Sequence, residues 1–446
     1  MRTITMFHYN DLHSKFHNWP RLVSFLNEHR TEETLVFDLG DHADRTHPAT
    51  EVTRGQVNVR LLNRVQPTAV TIGNNEGITF PHDWLANLYD EAEFPVLLAN
   101  VYYADGTRPD WATETLIVER DGLHIGLFGV TAPYEELYPE LGWAIEPPHV
   151  ATSRALEKLR DCDVVIALSH LGFYADERLA ETFPEIDVIL GAHTHHVLDD
   201  GVVTNGVLIA QAGKYGQYVG EVELTLDGHR VVEKRASLHD LTEQDTDEAT
   251  VSTLQDEYSQ AERLLDVTIA DTPGYPSDWF GPSAIGDLLA GGLADWCDAE
   301  VSVIPSGVLL EGLPPGHVTL NMLHRICPHP INPCLLSLDG ATLIRFLNDV
   351  QEEAFTTMHV RGLGFRGTVL GAPIIHGLEV RHGRYYIQGQ EIDLDETYRV
   401  ATVDMFTFGP LLPYLADQKK RYFMPELLRD VLRETIVTRH NAIRKG

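Results

Sequence analysis

The sequence predicts a two-domain protein whose first domain is a layered α/β fold. Three observations carry that expectation. The chain has 446 residues, about three times a typical domain. Short apolar runs alternate with amphipathic stretches through the first 230 residues or so. Clusters of Asp, Asn, Gly and His follow those runs, as functional groups do at the strand ends of α/β sheets.

Thr3 to His8 reads as a strand that runs into Asn10-Asp11-Leu12-His13. Arg21 to His29 has helical spacing, with Leu22, Val23, Phe25 and Leu26 able to face a core. Thr34 to Leu39 is β-rich and stops at Gly40-Asp41. Leu61 to Val65 ends a helix, and Ala69 to Ile72 is a strand that stops at Gly73-Asn74-Asn75-Glu76. Val96 to Ala99 and Ile125 to Val130 have strand character, and Ala151 to Leu159 looks helical. Val164 to Leu168 is a buried strand ending in Ser169-His170. Val188 to Leu190 precedes Gly191-Ala192-His193-Thr194-His195-His196. Gly220 to Leu226 alternates like a final strand. An acidic stretch, Asp240 to Glu248, then leads into helical periodicity from Thr250 to Ile269. The expected organisation is a first domain over 1–235, a linker with a connecting helix over 236–275, and a second domain over 276–446.

Composition sets limits. With 43% hydrophobic and 22% charged residues the chain has material for real cores, and its formal net charge is −32. Such a surface repels nucleic-acid polymers and anionic membranes, so neither is an expected partner. It also repels phosphates, so a phosphate-handling site would need local cations, which bound metals supply. No run of 18 apolar residues and no signal-peptide pattern is seen. Cys162, Cys297, Cys327 and Cys334 form no CxxC pair and read as reduced thiols, so a cytoplasmic protein is expected. Monomer and dimer are left open.

The chemistry lies in five clusters: Asp11-x-His13, Gly40-Asp41, Gly73-Asn74-Asn75-Glu76, Ser169-His170 and Gly191-x-His193-x-His195. Singly, most read as turns or strand-end histidines, although alternate residues of His193-x-His195 point the same way. Together they supply two Asp carboxylates, one Asn amide oxygen and four imidazoles. That donor set suits Zn, Mn, Fe or Co. Two such ions can clamp the attacking and leaving oxygens of an in-line displacement, and a bound water becomes nucleophilic near neutral pH. Gly213-Lys214-Tyr215 is no P-loop, because no Ser or Thr follows the Lys, and no Gly-x-Ser-x-Gly elbow is present.

In order, spacing and flanks these blocks resemble the calcineurin-like metallophosphoesterases, in particular the 5′-nucleotidase and UDP-sugar hydrolase family. Gln211-Ala212-Gly213-Lys214-Tyr215-Gly216 is similar to the segment that closes their metal site. The resemblance implies a four-layer αββα metallophosphatase domain followed by an α+β 5′-nucleotidase-type domain. It implies two divalent transition metals: Asp11, His13 and His195 on the first, Asn74, His170 and His193 on the second, and Asp41 bridging. It also implies a phosphorylated, nucleotide-like small molecule as substrate.

One position departs from the family. Its motif reads Gly-Asn-His-Glu or Gly-Asn-His-Asp, with the His acting near the phosphate; here Asn75 stands there, beside Glu76, and these two are the candidate catalytic residues. An Asn amide donates a hydrogen bond but transfers no proton at neutral pH. The substitution leaves a second reading, a nucleotide- or phosphate-binding sensor with little turnover. His42, His47 and His82 lie near in sequence and read as surface residues. An intracellular, YunD-like branch shares the Asn-Asn-Glu form.

The second domain is similar to the family's in several blocks. These are Pro282 to Leu288, Pro305-Ser306-Gly307, Gly312 to Thr319, Pro328 to Leu336, Leu338-Asp339-Gly340-x-x-Leu343 and Val400 to Phe406. By resemblance Asn332 and Phe406 are candidate substrate-binding residues, though Phe406 reads equally as core. The family's Arg after Gly307 is replaced by Val308-Leu309-Leu310. Arg325, Arg345, Arg361 and Arg366 remain as candidate phosphate contacts.

Overall fold

The computed structural model describes residues 1–444. The chain forms two compact units, Met1–Ala261 and Glu262–Gly446.

In the first unit, alternating side chains of the strand Arg2–Tyr9 serve two faces. Ile4 and Met6 enter a core between two sheets, while Phe7 and Tyr9 meet Phe25 and Trp19 of the helix Trp19–His29. Met6 pairs in parallel with Leu35 of Leu35–Asp38, and Thr5 pairs antiparallel with Glu223 of Tyr218–Asp227. The first sheet has seven strands. Its order runs from Arg230–Asp240 through Tyr218–Asp227, Arg2–Tyr9, Leu35–Asp38, Ala69–Val70 and Val96–Leu97 to Ala112–Thr113.

The second sheet has six strands, ordered Val202–Thr204, Val207–Ala210, Val188–Leu190, Val164–His170, Leu123–Thr131 and Thr115–Arg120. Phe37, Leu39, Leu127, Ile166, Leu168, Val222 and Leu224 fill the space between the sheets. Ala151, Ala155 and Leu159 of the helix Pro148–Leu159, with Leu179 and Ala180 of Phe173–Thr182, cover the outer face of the second sheet. Helix, sheet, sheet and helix make the four layers. Parallel neighbours in both sheets carry their loops to one edge, and the polar clusters collect there.

Three elements differ from the sequence reading. Gly220 to Leu226 is not the last strand: Tyr218–Asp227 turns back through Gly228 into Arg230–Asp240, whose alternating exposed residues hid a half-buried edge strand. The helix expected through Ile269 ends at Leu265, and Thr268–Thr272 is a strand paired with Gly316–Thr319. Asn75–Thr79, expected as a turn, is one turn of π-helix that follows Asn74.

The second unit centres on a five-stranded sheet ordered Pro373–His376, Val301–Pro305, Thr397–Val403, Pro333–Asp339 and Lys419–Tyr422. The helix Ala284–Cys297 starts at Ser283, whose hydroxyl accepts from the Gly286 amide. A three-stranded hairpin sheet spans Leu378–Arg381, Arg384–Ile387 and Gln390–Glu391.

Candidate metal centre

Five of the seven expected ligands, Asp11, His13, Asp41, His193 and His195, have left-handed backbone, with φ between 49° and 72°. Non-glycine residues pay for that conformation, and it persists where the surroundings over-determine it. Here each strand ends, reverses sharply and aims a polar side chain back across the sheet edge. The loops are stitched together by main-chain bonds: Asp11 N–H donates to Gly40 O at 3.1 Å and His13 N–H to Asp41 O at 2.7 Å. Gly40 (φ +88°) and Gly73 meet backbone to backbone. A Cβ on Gly73 would lie 2.0 Å from Asp41 Oδ1.

The side chains converge. One oxygen of the buried Asp11 carboxylate, Oδ2, accepts from the Asn10 amide at 2.7 Å and from His193 N–H at 2.9 Å. The other, Oδ1, has no hydrogen-bond partner, yet three imidazole nitrogens surround it: His195 Nε2 at 3.2 Å, His13 Nε2 at 3.7 Å and His170 Nε2 at 3.9 Å. Asp41 stands between the two halves of the cluster. Its Oδ1 lies 3.5 Å from His170 Nε2 and its Oδ2 lies 3.7 Å from His13 Nε2. Asn74 Oδ1 lies 2.7 Å from His193 Nδ1.

Asp11, His13 and His195 can share one ion, and so can Asp11, Asp41 and His170. Buried polar atoms are ordinarily paired. Here Asp11 Oδ1 and the fully buried His170 Nε2 are both orphaned and both face the cluster centre. That is the arrangement a cation completes. His170 Nδ1 faces Leu39 O at 2.7 Å, a contact that as a donor leaves Nε2 free to bind. Burial alone would raise the Asp41 carboxyl, but the His170 imidazole beside it holds it below the usual range. Burial pushes His193 down to about 4, so its ring is neutral.

Asn75 reaches the same centre. Its main-chain N–H donates to Asp41 Oδ1 at 2.7 Å, and its Nδ2 lies 3.1 Å from Asp41 Oδ2 and 2.6 Å from His13 Nδ1. Glu76 points the other way. Its oxygens accept from the main-chain N–H groups of Gly73 (2.8 Å), Asp41 (3.0 Å) and Ala43 (2.7 Å). It shapes the loop instead of facing the cluster, which corrects the expectation of a catalytic carboxylate.

His42 also departs from its reading: it is 1% exposed and sits between Asp38 (3.3 Å) and Glu76 (3.6 Å). Burial opposes its charge, yet the two carboxylates raise it to about 9. His47 caps the short helix Pro48–Val52, and the exposed His82 stacks on Trp143 at 4.3 Å.

Four supporting residues escaped the sequence reading. Asn10 binds Asp11, Gly213 O and Ala212 N–H at once, and its only signal was adjacency to Asp11. Asp44 Oδ2 lies 3.5 Å from His13 Nδ1. Asp176, raised to about 7 by burial, binds Ser169 Oγ at 2.5 Å and Gln211 Nε2 at 3.1 Å, bracing the His170 and His193 loops. The Tyr134 hydroxyl lies 3.4 Å from His193 Nε2, with nothing local in sequence to mark it.

The candidate substrate residues of the second unit fare differently. The Phe406 ring is 1% exposed and packs on Phe346 and Phe355, so it belongs to the core and offers no face to a ligand. Asn332, 5% exposed, gives its amide to Glu426 O at 2.8 Å. Both motifs are internal scaffolding here. Arg325 is tied to Glu311, and Arg345 to Asp349 with its guanidinium 3.9 Å over Tyr414.

Known proteins share this architecture. Residues 4–197 match the calcineurin-like phosphoesterase family, and residues 266–409 match the 5′-nucleotidase C-terminal domain. The metallophosphoesterase YunD of Bacillus subtilis is 42% identical over 452 residues, covering 96% of this chain and 98% of that one. The trifunctional nucleotide phosphoesterase YfkN of the same species is 25% identical over 459 residues, 90% of this chain but 31% of that much longer protein. The NAD nucleotidase NadN of Haemophilus influenzae superposes with a TM-score of 0.70 at 15% identity, covering 98% of this chain and 97% of that one. On the strength of the YunD alignment and both matched regions, the chain belongs to the calcineurin-like metallophosphoesterases of 5′-nucleotidase type, hydrolases that act on phosphoesters.

Proposed function

We propose that this protein hydrolyses nucleotides or related organic phosphates at a centre of two divalent transition metals, Zn, Mn, Fe or Co. The observation that carries the reading is the convergence of three imidazole nitrogens on the unpartnered Asp11 Oδ1, with Asp41 placed between the two halves of the cluster. Asp11, His13 and His195 would hold one ion, Asn74, His170 and His193 the other, and Asp41 would touch both. When bound, such ions polarise the phosphoryl group and make water a nucleophile at neutral pH.

The chain's own groups do the rest. Asn10 and the His193 N–H fix the Asp11 carboxylate plane, and the Leu39 carbonyl orients His170. Glu76 and Gly73 hold Asp41 in its left-handed turn. The Asn75 amide keeps one hydrogen on Asp41, and the hydrogen that faces His13 would turn to a phosphoryl oxygen when substrate binds. It cannot protonate a leaving group, so we assign it electrostatic stabilisation only. The nucleotide preference draws on YfkN, and the substrate is left at that class. Among the described residues no helix is long and apolar enough to cross a membrane. The four unpaired cysteines support the cytoplasm as the compartment.

The test is hydrolysis with added Mn²⁺ of nucleoside monophosphates, UDP-glucose, NAD, cyclic nucleotides and nitrophenyl esters, beside Asp41→Asn. We expect turnover that the substitution abolishes together with part of the bound metal. Two metals bound, tight ligand binding and no turnover on any ester would instead make the protein a sensor, with Asn75 as the cause.

A further inference from the structure

A substrate anion must approach a centre lined by Asp11, Asp41 and Asp44, in a protein of net charge −32. Beyond metals, it needs a side-chain cation not already committed to a carboxylate. Arg45, four residues after Asp41, is committed: it is bidentate to Glu51, donates to Thr79 O and lies 4.8 Å over the Trp84 ring. Lys158 is paired with Glu114, and Lys234 with Asp187.

Lys214 differs from all of these. It is half-buried, and among the described residues it takes part in no ion pair. Its ammonium lies 4.6 Å over the ring centroid of Tyr215, and that ring meets the His13 imidazole edge-on at 5.8 Å. A free cation therefore stands one aromatic ring away from the metal centre.

The turn that carries Lys214 is held by two of the ligand-bearing loops. Gly213 N–H donates to His196 O at 2.9 Å and Tyr215 N–H to Asp11 O at 2.8 Å. The Asn10 amide donates to Gly213 O at 2.7 Å and the Asn18 amide to Tyr215 O at 2.9 Å. Tyr215 sits at φ +61°, a conformation an aromatic residue keeps only when its surroundings enforce it. Placing an ammonium over an aromatic face strips part of its water without neutralising it. The charge is then available to an incoming anion.

We propose that Lys214, positioned by Tyr215, is the substrate-binding cation of this site and contacts the phosphate oxygens that face away from the metals. The proposal rests on the phosphoesterase reading and narrows its substrate class. A monoester phosphate is a dianion with more oxygens free to meet the ammonium, so monoesters gain more from Lys214 than monoanionic diesters do.

The experiment compares the wild-type protein with Lys214→Met, Lys214→Gln and Lys214→Arg, loaded with Mn²⁺. It measures KM and kcat on nitrophenyl phosphate and bis-nitrophenyl phosphate, inhibition by inorganic phosphate, calorimetric phosphate binding, metal content and melting. We expect Met and Gln to raise the monoester KM and to weaken phosphate binding by about ten- to a hundredfold, the range for losing one charged hydrogen bond. The diester KM should move less, metal content should hold, and Arg should recover most of the loss. Unchanged monoester KM and phosphate affinity in folded, metal-loaded Met and Gln variants would overturn the proposal while leaving the phosphoesterase reading intact. A wild type that hydrolyses no ester would overturn that reading, and the calorimetric comparison would still decide whether Lys214 binds phosphate.

Discussion

Gly73 leaves no room for a methyl group, because an added Cβ would overlap the Asp41 carboxylate and lie 2.6 Å from its main-chain nitrogen. Gly73→Ala must therefore displace Asp41 or break the Asp11–Gly40 stitching behind it. We expect it to lose most metal binding and turnover and to lower the melting temperature, measurable by metal analysis beside calorimetry. Asn75 offers a complementary test. It is 4% exposed, and its amide is held between Asp41 and His13. Asn75→Ala removes one oriented donor at the site of developing charge, so kcat should fall by about 10²–10³ with metal content retained. A fall of less than threefold would show that the amide only packs. The sequence marked Gly73 as a turn former and Asn75 as a candidate catalytic residue; the reach of Asn75 to Asp41 comes from one loop meeting another 34 residues away.

At the scale of elements, the strands do two jobs, filling the inter-sheet core and ending where chemistry is needed. His8 shows the tension between them. It shares a face with Ile4 and Met6, is 1% exposed, and neither ring nitrogen has a partner. A Cβ on Gly220, its cross-strand partner, would lie 2.1 Å from His8 Nε2, so that strand keeps a glycine opposite the ring. Burial lowers His8 to about 3. Its folded value is thus below the unfolded one, and the unfolded chain takes the proton first. The stability it allows is complete above pH 6.5 and is lost as pH falls toward 3. Wild-type melting should drop on acidification from 6.5 to 4 more steeply than in His8→Leu; parallel curves would assign the acid sensitivity elsewhere. Strand placement was legible from alternation. The strand Arg230–Asp240 was missed because its outward residues are polar and Gly220 to Leu226 already resembled an ending. The π-turn at Asn75–Thr79 was missed because no propensity distinguishes it from a β-turn.

For the whole molecule, the charge of −32 is a long-range barrier to phosphates, screened over about 10 Å at 0.1 M salt. With the metals bound, kcat/KM for an anionic ester should rise severalfold as ionic strength increases from about 0.01 to about 0.15 M. A fall over that range would show that the local cationic field, Lys214 included, outweighs the global one. The two compact units correspond to two different kinds of legibility. The first announced itself by five polar blocks, each directly after an apolar run. In the second, blocks such as Val400 to Phe406 marked the fold, but Phe406 and Asn332 proved to be internal scaffolding, since a buried ring and a buried amide satisfy packing and main-chain carbonyls as readily as a ligand.

The sequence by itself determined the strand–helix alternation and the two-part organisation and marked the polar clusters that hold the candidate donors Asp11, His13, Asp41, Asn74, His170, His193 and His195, because periodicity and side-chain chemistry are local properties. Only the tertiary structure decided which of their atoms lack partners, that Glu76 and His42 serve the scaffold, and that Asn10, Asp44, Asp176 and Tyr134 support the centre. It also set the Lys214 ammonium over the Tyr215 ring, which meets His13 edge-on. Those outcomes depend on loops far apart in the chain meeting at one sheet edge, and hydrogen-bond satisfaction there is a property of the assembled neighbours rather than of any segment.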